Sequence, residues 1–428
     1  MTKETINIGL IGYGTVGKGV VRILKSSSKI IIGKVGKPIE VKSICDINPI
    51  DKTELYVKDF RQIIKDPDID LIVELIGGYE PARTIIIESL KAGKNVVTAN
   101  KAALAKFWGE IYTAIQTYQK SVYYEAAVGG AIPVIAGLTE GLAGEEILEI
   151  KGILNGTTNF ILSKMTKDAL DYKSALKEAQ SAGFAETDPS FDVNGIDTAN
   201  KLAILASLAW GSWIKVKDIS VSGIADLDIK DVSLTKRNGS IKLIGSAVKM
   251  KNGIDLSVQP CFIGKEHPFS SVRDEYNAVM IKGKNSGDVL FYGKGAGQGP
   301  AASAVVSDII NLSQFMVTNT KGIIPDIIYD PKIKNQILPF SKSKAAYYLR
   351  FTVSDKPGVF AKLADILGKH KVSIASLSQP NISRGDFADI VIITHPSVLE
   401  DLNSALKEIK SLRSIIKSAP VKIKIETF

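Results

Sequence analysis

The densest run of polar chemistry in the sequence is AQSAGFAETDPSFDVNGIDTANK, residues 179–201, where Glu186, Asp188, Asp192, Asp197 and Lys201 frame Gly183 and Gly195. Asp188-Pro189 and Asn194-Gly195 break any helix before it, so Asp197 opens a long apolar helix reaching Trp210 as its N-cap or first-turn acid. Asp197 and Lys201 are four residues apart, hence on one helix face and able to point together at a ligand. An ordinary surface ion pair is the competing reading of that spacing. The three histidines, His267, His370 and His395, are scattered, so a Ser-His-Asp or metal-histidine mechanism has little to build on. A general acid has to come from Lys, Asp, Glu or Tyr. Cys45 and Cys261 sit in apolar strand-like sequence and read as reduced core packing, not as a disulfide or zinc framework.

A second constellation lies at the start of the chain. INIGLIGYGTVGKGVV places Gly12, Gly14 and Gly17, with Thr15 and Val16 among them, between an apolar strand and a helix. Glycines suit a tight turn, a close backbone approach to a pyrophosphate and strand-to-helix packing, and the helix start offers N–H groups to phosphate. The pattern alone is common, but its strand-before, helix-after setting makes it a dinucleotide loop, against a purely structural turn. Asp46, at the end of the second strand, is the candidate for the ribose hydroxyls; it follows Gly17 by 29 residues because SSSKIIIGKVGKP is inserted between them. An acid there repels a 2′-phosphate and no arginine follows closely, which favours NAD or dual use over strict NADP. A turn cap before Asn-Pro is the alternative.

The elements that must position these groups fall into three stretches. Short β-branched runs at 6–11, 40–45, 71–75, 95–98 and 122–125 alternate with helical patterns at 16–24, 82–90 and 103–118, which predicts a doubly wound, Rossmann-type parallel sheet over residues 1–129. Residues 130–299 lose that rhythm and predict an α+β substrate-binding and dimerisation domain with an open sheet; a helix around 301–315, within a return segment 300–324, leads back to the first domain. Residues 325–345, with Pro325, Pro331 and Pro339, read as a linker, and 346–428 as a compact βαββαβ, ferredoxin-like unit.

The cluster at 179–201 resembles, position by position, the signature of the homoserine dehydrogenase family: Ala179, Gly183, Asp188-Pro189, Asp192, Gly195, Asp197 and Lys201 fall where that pattern asks. PARTIIIESLKAGKNVVTANKAALA, YYEAAVGGAIPVI, KGILNGTTNFIL and GKGAGQGPAASAVVSDI extend the likeness to about Leu312, with one departure, GPAAS, where relatives carry Pro-Thr-Ala. The resemblance implies reversible NAD(P)-dependent reduction of L-aspartate 4-semialdehyde to L-homoserine, in the biosynthesis of threonine, methionine and isoleucine. It implies Lys201 as proton donor, Lys101 of TANK near the reacting oxygen and the nicotinamide, Glu186 and Asp197 on the substrate ammonium, and Asp192 orienting lysines or water. Gly183 and Gly297 would approach the cofactor through their backbones. A sodium ion would be bound by a loop matching Glu125, Val128, Gly130 and Ile132, a loop whose residues alone read as structural. Independently, a developing alkoxide needs a proton or a fixed positive charge, and lysine supplies either.

LRFTVSDKPGVFAKLADILGKHKVSIASLSQ resembles the start of an ACT domain, a module that binds amino acids between paired copies. Asp355 and Gly358, between its first strand and helix, are the candidate effector residues, and threonine the expected effector; a passive dimerisation module is the alternative. A homodimer or tetramer follows from either reading.

Composition narrows the remaining classes. The 428 residues are 45% hydrophobic and 23% charged, a globular balance of more than one domain. The net charge of +9 is spread along the chain with acids between, so nucleic acid is not expected as a partner. With no uninterrupted apolar stretch near the ~20 residues of a membrane span and no secretory h-region, no membrane partner and a cytoplasmic location are expected. With the cofactor strand beginning at Ile6, no fused aspartate kinase is expected ahead of it. Two other functions compete: a Rossmann oxidoreductase of different substrate, which would lack the acid-lysine cluster, and a non-catalytic sensor, which would need neither Lys101 nor Lys201.

Overall fold

The computed structural model describes residues 3–47, 55–236, 238–318, 330, 332–333, 335–380 and 387–426. They pack as two compact units. The first comprises residues 1–156, 199–219 and 276–335. Its centre is a parallel six-stranded sheet in the order Tyr56–Val57, Ile39–Cys45, Ile6–Ile11, Leu71–Glu74, Asn95–Thr98, Val122–Tyr123. Such strands are apolar almost throughout because helices cover both faces; Leu71–Glu74 is buried at every residue. The order turns back beside Ile6–Ile11, which makes the carboxyl ends of this strand and Leu71–Glu74 the switch point where α/β sheets bind ligands.

The helices Thr15–Ser26 and Gln298–Thr318 lie on this sheet. Ala302, Val305, Ile309 and Leu312 of the second share a core with Ile8, Leu10, Val20 and Leu24. By length and composition Gln298–Thr318 alone among the described helices is apolar enough to cross a membrane, but that apolar face is spent on the core. Residues 319–324 of the expected return segment lie outside the described residues. The inserted stretch after the glycine loop contributes a helix of its own, Ser28–Val35, closed by Gly36 in the left-handed region. The same unit carries an antiparallel sheet of Ile147–Ile153, Tyr276–Gly283 and Gly287–Lys294. Cys45 and Cys261 are both buried and free.

The second unit comprises residues 157–198, 220–275 and 336–428. Its C-terminal strands run Val421–Glu426, Lys344–Ser354, Phe387–Thr394, Ile374–Ser378, all antiparallel. The helices Val359–Lys369 and Leu399–Ser411 cover them, with Leu349, Phe351, Leu363, Leu367, Leu402 and Ile409 in one core. This is the βαββαβ order read from the sequence. The sequence did not announce how that sheet continues: Val421–Glu426 pairs in parallel with Gly253–Gly264, the second arm of a hairpin whose first arm is Gly239–Met250. The second arm has a weak strand pattern because it contains Pro260, which cannot donate to a ladder. Leu338 N–H donates to Ile254 O (2.9 Å) and Ile254 N–H to Gln336 O (2.8 Å), so the end of the presumed linker is pinned to this hairpin. Pro325 and Pro331 lie outside the described residues.

A buried ionic cluster joins the C-terminal strands to the helix Ile229–Thr235. Arg350, on Lys344–Ser354, donates from Nε to Asp231 Oδ1 (2.6 Å) and from Nη2 to Asp231 Oδ2 (2.8 Å) and Asp228 Oδ2 (3.0 Å). Tyr348 donates its hydroxyl to Asp231 as well (3.0 Å). Arg350 and Asp231 are almost wholly buried, at 5% and 1% side-chain exposure.

Candidate active site

The glycine loop fits a pyrophosphate. Gly12 has φ +103°, and a Cβ there would stand 2.7 Å from the backbone of Leu75; one on Gly17 would stand 2.3 Å from Gly12 O. Both positions therefore demand glycine, while a Cβ at Gly14 would meet open space. Gly14 starts the helix Thr15–Ser26 with no side-chain cap, so no capping side chain takes the first-turn N–H groups of Thr15, Val16 and Gly17, which suits an anion at this helix start. Gly297 (φ +117°) is brought to the same loop: the neighbouring Gln298 donates its side-chain amide to Thr15 O (3.1 Å). Asp46 follows the strand Ile39–Cys45 and accepts the Tyr13 N–H on Oδ2 (2.6 Å). The acid thus holds the glycine loop itself, a role the sequence reading did not include.

Lys101 is the first residue of the helix Lys101–Tyr118, three positions beyond the strand Asn95–Thr98. Asn100 caps that helix by accepting the Ala103 N–H (3.0 Å). Beside it, Glu74 closes its strand as a fully buried carboxyl, and burial pushes its pKa up to about 7.

Asp197 and Lys201 both lie on the helix Ile196–Trp210 and are buried, at 2% and 7% exposure. That burial overturns the surface-pair alternative, since a surface pair would keep both groups in solvent. The Lys201 Nζ donates to Leu154 O (2.7 Å), just past the strand Ile147–Ile153, so its ammonium is held by a backbone carbonyl. In the second unit, Gly183 (φ +76°) ends the helix Tyr172–Ser181; the polar loop beyond it carries exposed Glu186, and the short helix Ser190–Val193 that follows carries half-buried Asp192. Gln180 donates to Glu186 O (3.1 Å), and Asp192 O accepts the Gly195 N–H (2.9 Å).

The Glu125 carboxylate accepts Ile135 and Ala136 N–H groups (2.8 Å each), and burial pushes its pKa up to about 7. It therefore anchors the turn Val134–Ala136. Glu125 O and Ile132 O already accept Val128 N–H (3.3 Å) and Val134 N–H (2.8 Å), which leaves each carbonyl one further lone pair. Gly129 and Gly130 both adopt positive φ, turning the backbone tightly at Val128–Gly130. An all-carbonyl set of this kind fits a hard monovalent cation. Among the described residues no group of three or more His, Cys, Asp or Glu side chains could hold a metal. Gly358 (φ +85°) is the N-cap of Val359–Lys369 without a side-chain cap, and Asp355 is exposed nearby in sequence.

Sequence reasoning passed over Glu74, Thr98 and Asn100, although the last two stand in the quoted stretch around TANK. The available signal was an acid ending LIVE: in a parallel strand buried on both faces, a carboxyl must have partners.

Residues 12–125 match the family model "Homoserine dehydrogenase, NAD binding domain", residues 133–310 match "Homoserine dehydrogenase", and residues 347–413 match "ACT domain". The chain is 41% identical over 435 residues to a homoserine dehydrogenase of Synechocystis, covering 98% of this chain and 99% of that one. A crystal structure of a homoserine dehydrogenase from Thiobacillus denitrificans superposes with a TM-score of 0.93 at 37% identity, covering 99% of this chain and 98% of that one. A hyperthermophilic archaeal homoserine dehydrogenase in complex with NADPH superposes at 0.63 with 28% identity, covering 72% of this chain and 97% of that one.

Proposed function

The chain belongs to the homoserine dehydrogenase family, and from that premise we propose that it exchanges a hydride between a nicotinamide and C4 of the substrate with Lys201 and Lys101 as its catalytic pair. It is an NAD(P)-dependent oxidoreductase acting on a CH–OH group. NAD(P) supplies the hydride acceptor and donor when bound. In the reduction of L-aspartate 4-semialdehyde, C4 gains the hydride and its oxygen gains a proton, giving L-homoserine; oxidation runs both transfers backwards. The observation that carries the assignment is the buried Lys201 ammonium, fixed 2.7 Å from Leu154 O, because a proton donor must be held in place before the alkoxide develops. Lys101 supplies positive charge at the carboxyl end of its strand. Glu186 and Asp197 hold the substrate ammonium, and Asp192 orients lysines or water. Gly12, Gly14, Thr15, Val16, Gly17, Gly183 and Gly297 approach the cofactor through backbone, and the carbonyls of Glu125, Val128, Gly130 and Ile132 hold sodium. The test is transfer of label: nicotinamide deuterated at its reacting C4 should deliver deuterium to C4 of homoserine, and its absence from that carbon would exclude the assignment.

The cofactor preference is proposed to follow Asp46, with NAD used at least comparably to NADP. Asp46→Arg should move the kcat/KM ratio towards NADP by roughly ten- to a hundredfold, as repulsion is replaced by a charge-assisted bond. Asp46→Ser should shift it less. Both variants also lose the acceptor for Tyr13 N–H, so a modest rise in KM for either cofactor is expected. A wild-type enzyme strongly selective for NADP would contradict this reading.

For the C-terminal module we propose feedback by an amino acid, threonine, bound at Asp355 and the helix start after Gly358 in a homodimer or tetramer of a cytoplasmic enzyme of threonine, methionine and isoleucine synthesis. The N-cap at Gly358 supports this, since uncapped N–H groups suit a carboxylate. With a coupling of ~1–3 kcal/mol, saturating threonine should change substrate affinity several-fold to about a hundredfold. Titration of threonine, isoleucine and methionine against the full chain and its Asp355→Ala variant checks it: threonine alone should act, and less on the variant. Indifference to all three leaves the module a passive dimerisation unit.

A further inference from the structure

Glu74 is a buried acid for which the hydride-transfer chemistry has no use. In the sheet it stands opposite Ile11, which precedes the glycine loop, and opposite Thr98, which leads to Asn100 and Lys101. Its two oxygens are engaged separately: Oε1 accepts the Ile76 N–H (2.6 Å) and Oε2 the Thr98 hydroxyl (2.5 Å). Thr98 Oγ1 meanwhile accepts the Asn100 N–H (3.0 Å), so its one proton is committed to Glu74. Asn100 donates its side-chain amide to Ile76 O (2.7 Å) and Gly78 O (2.8 Å) while its oxygen caps Ala103. The circuit closes: Glu74 fixes the Ile76–Gly78 turn and Thr98, and both hold Asn100, the residue immediately before Lys101. A parallel sheet has no need of a carboxyl at that point, and an apolar residue would avoid the desolvation cost. A satisfied buried network instead fixes one local conformation.

We propose that Glu74, acting through Thr98 and Asn100, is the positioning residue that sets Lys101 against the turn bordering the glycine loop. The inference rests on the catalytic role assigned to Lys101. Thr98→Val keeps the shape of the side chain and deletes both hydroxyl bonds; Thr98→Ser keeps the bonds. Thr98→Val should lower kcat roughly tenfold to a hundredfold, the scale of a small misplacement. The KM for homoserine and the cofactor Kd, read by nucleotide fluorescence, should stay close to wild type, and Thr98→Ser should restore most of the rate. In a Lys101→Ala background, Thr98→Val should cost nothing further, because the group it positions is gone. Glu74→Gln, checked by thermal melting, should repeat the pattern if Thr98→Val does not fold. A near-normal Lys101→Ala enzyme refutes the role of Lys101 and the relay with it. A crippled Lys101→Ala enzyme, with Thr98→Val either silent, multiplicative with it, or acting on cofactor Kd, overturns the relay alone.

Discussion

Lys201→Ala should lower kcat by at least about a hundredfold, the usual consequence of removing a positioned acid. The side chain is buried on a helix and held by Leu154 O, so neither water nor a neighbouring surface lysine can reach the same place without rearrangement. Lys201→Arg preserves positive charge but cannot give up a proton, so it should stay far below wild type, whereas a purely electrostatic role would let it recover. Lys101→Ala should fall by a similar factor. Cofactor binding and thermal stability, measured on each variant, separate lost chemistry from lost structure. If either lysine variant keeps near-normal kcat at saturating substrate, that residue is not catalytic.

The second large effect concerns stability. Asp231→Ala should destabilise the second unit by about 3–5 kcal/mol, because it removes the bidentate partner of a buried guanidinium and leaves it only single carboxylate contacts, to Asp228 (3.0 Å) and Asp389 (3.7 Å). Asp231 supplies both oxygens of a bidentate pair and also takes the Tyr348 hydroxyl. Asp228, whose side chain is 47% exposed, meets the same arginine at the cluster's edge and caps the helix Ile229–Thr235 by accepting the Lys230 N–H (2.9 Å), so Asp228→Ala should cost about 1–2 kcal/mol, mostly the lost cap. The double variant Asp231→Leu with Arg350→Met should lose less than Asp231→Ala, since no unpaired charge remains. Urea titration of the four proteins decides it. Equal losses for Asp231→Ala and Asp228→Ala would mean that burial does not govern this cluster.

Five strands of the parallel sheet were legible because they are short, apolar and separated by helical patterns, and these five form within a residue or two of their expected bounds; the two-residue edge strand Tyr56–Val57 is too short to leave a pattern and was not expected. The C-terminal strands and helices were legible for the same reason. What joins the hairpin to the C-terminal sheet was not: parallel pairing of Cys261 with Lys424 is a long-range event that leaves no local pattern. Asp197 and Lys201 were placed correctly on one helix, but only burial distinguishes them from an exposed ion pair, and burial is not written in an i,i+4 spacing. Asp46 shows the complementary limit. Its position at the strand end was readable, whereas its bond to Tyr13 N–H depends on how the glycine loop curls back. Arg350 and Asp231 are more than a hundred residues apart in the chain, and nothing in either segment names the other.

Action of this chain on homoserine is read out by steady-state oxidation with NAD and NADP. L-homoserine and other three- and four-carbon hydroxy acids are offered in parallel, and nicotinamide reduction is followed by absorbance. Rapid reduction with L-homoserine and little with the others is expected. Equal turnover across the panel, or none with homoserine under either cofactor, would contradict it.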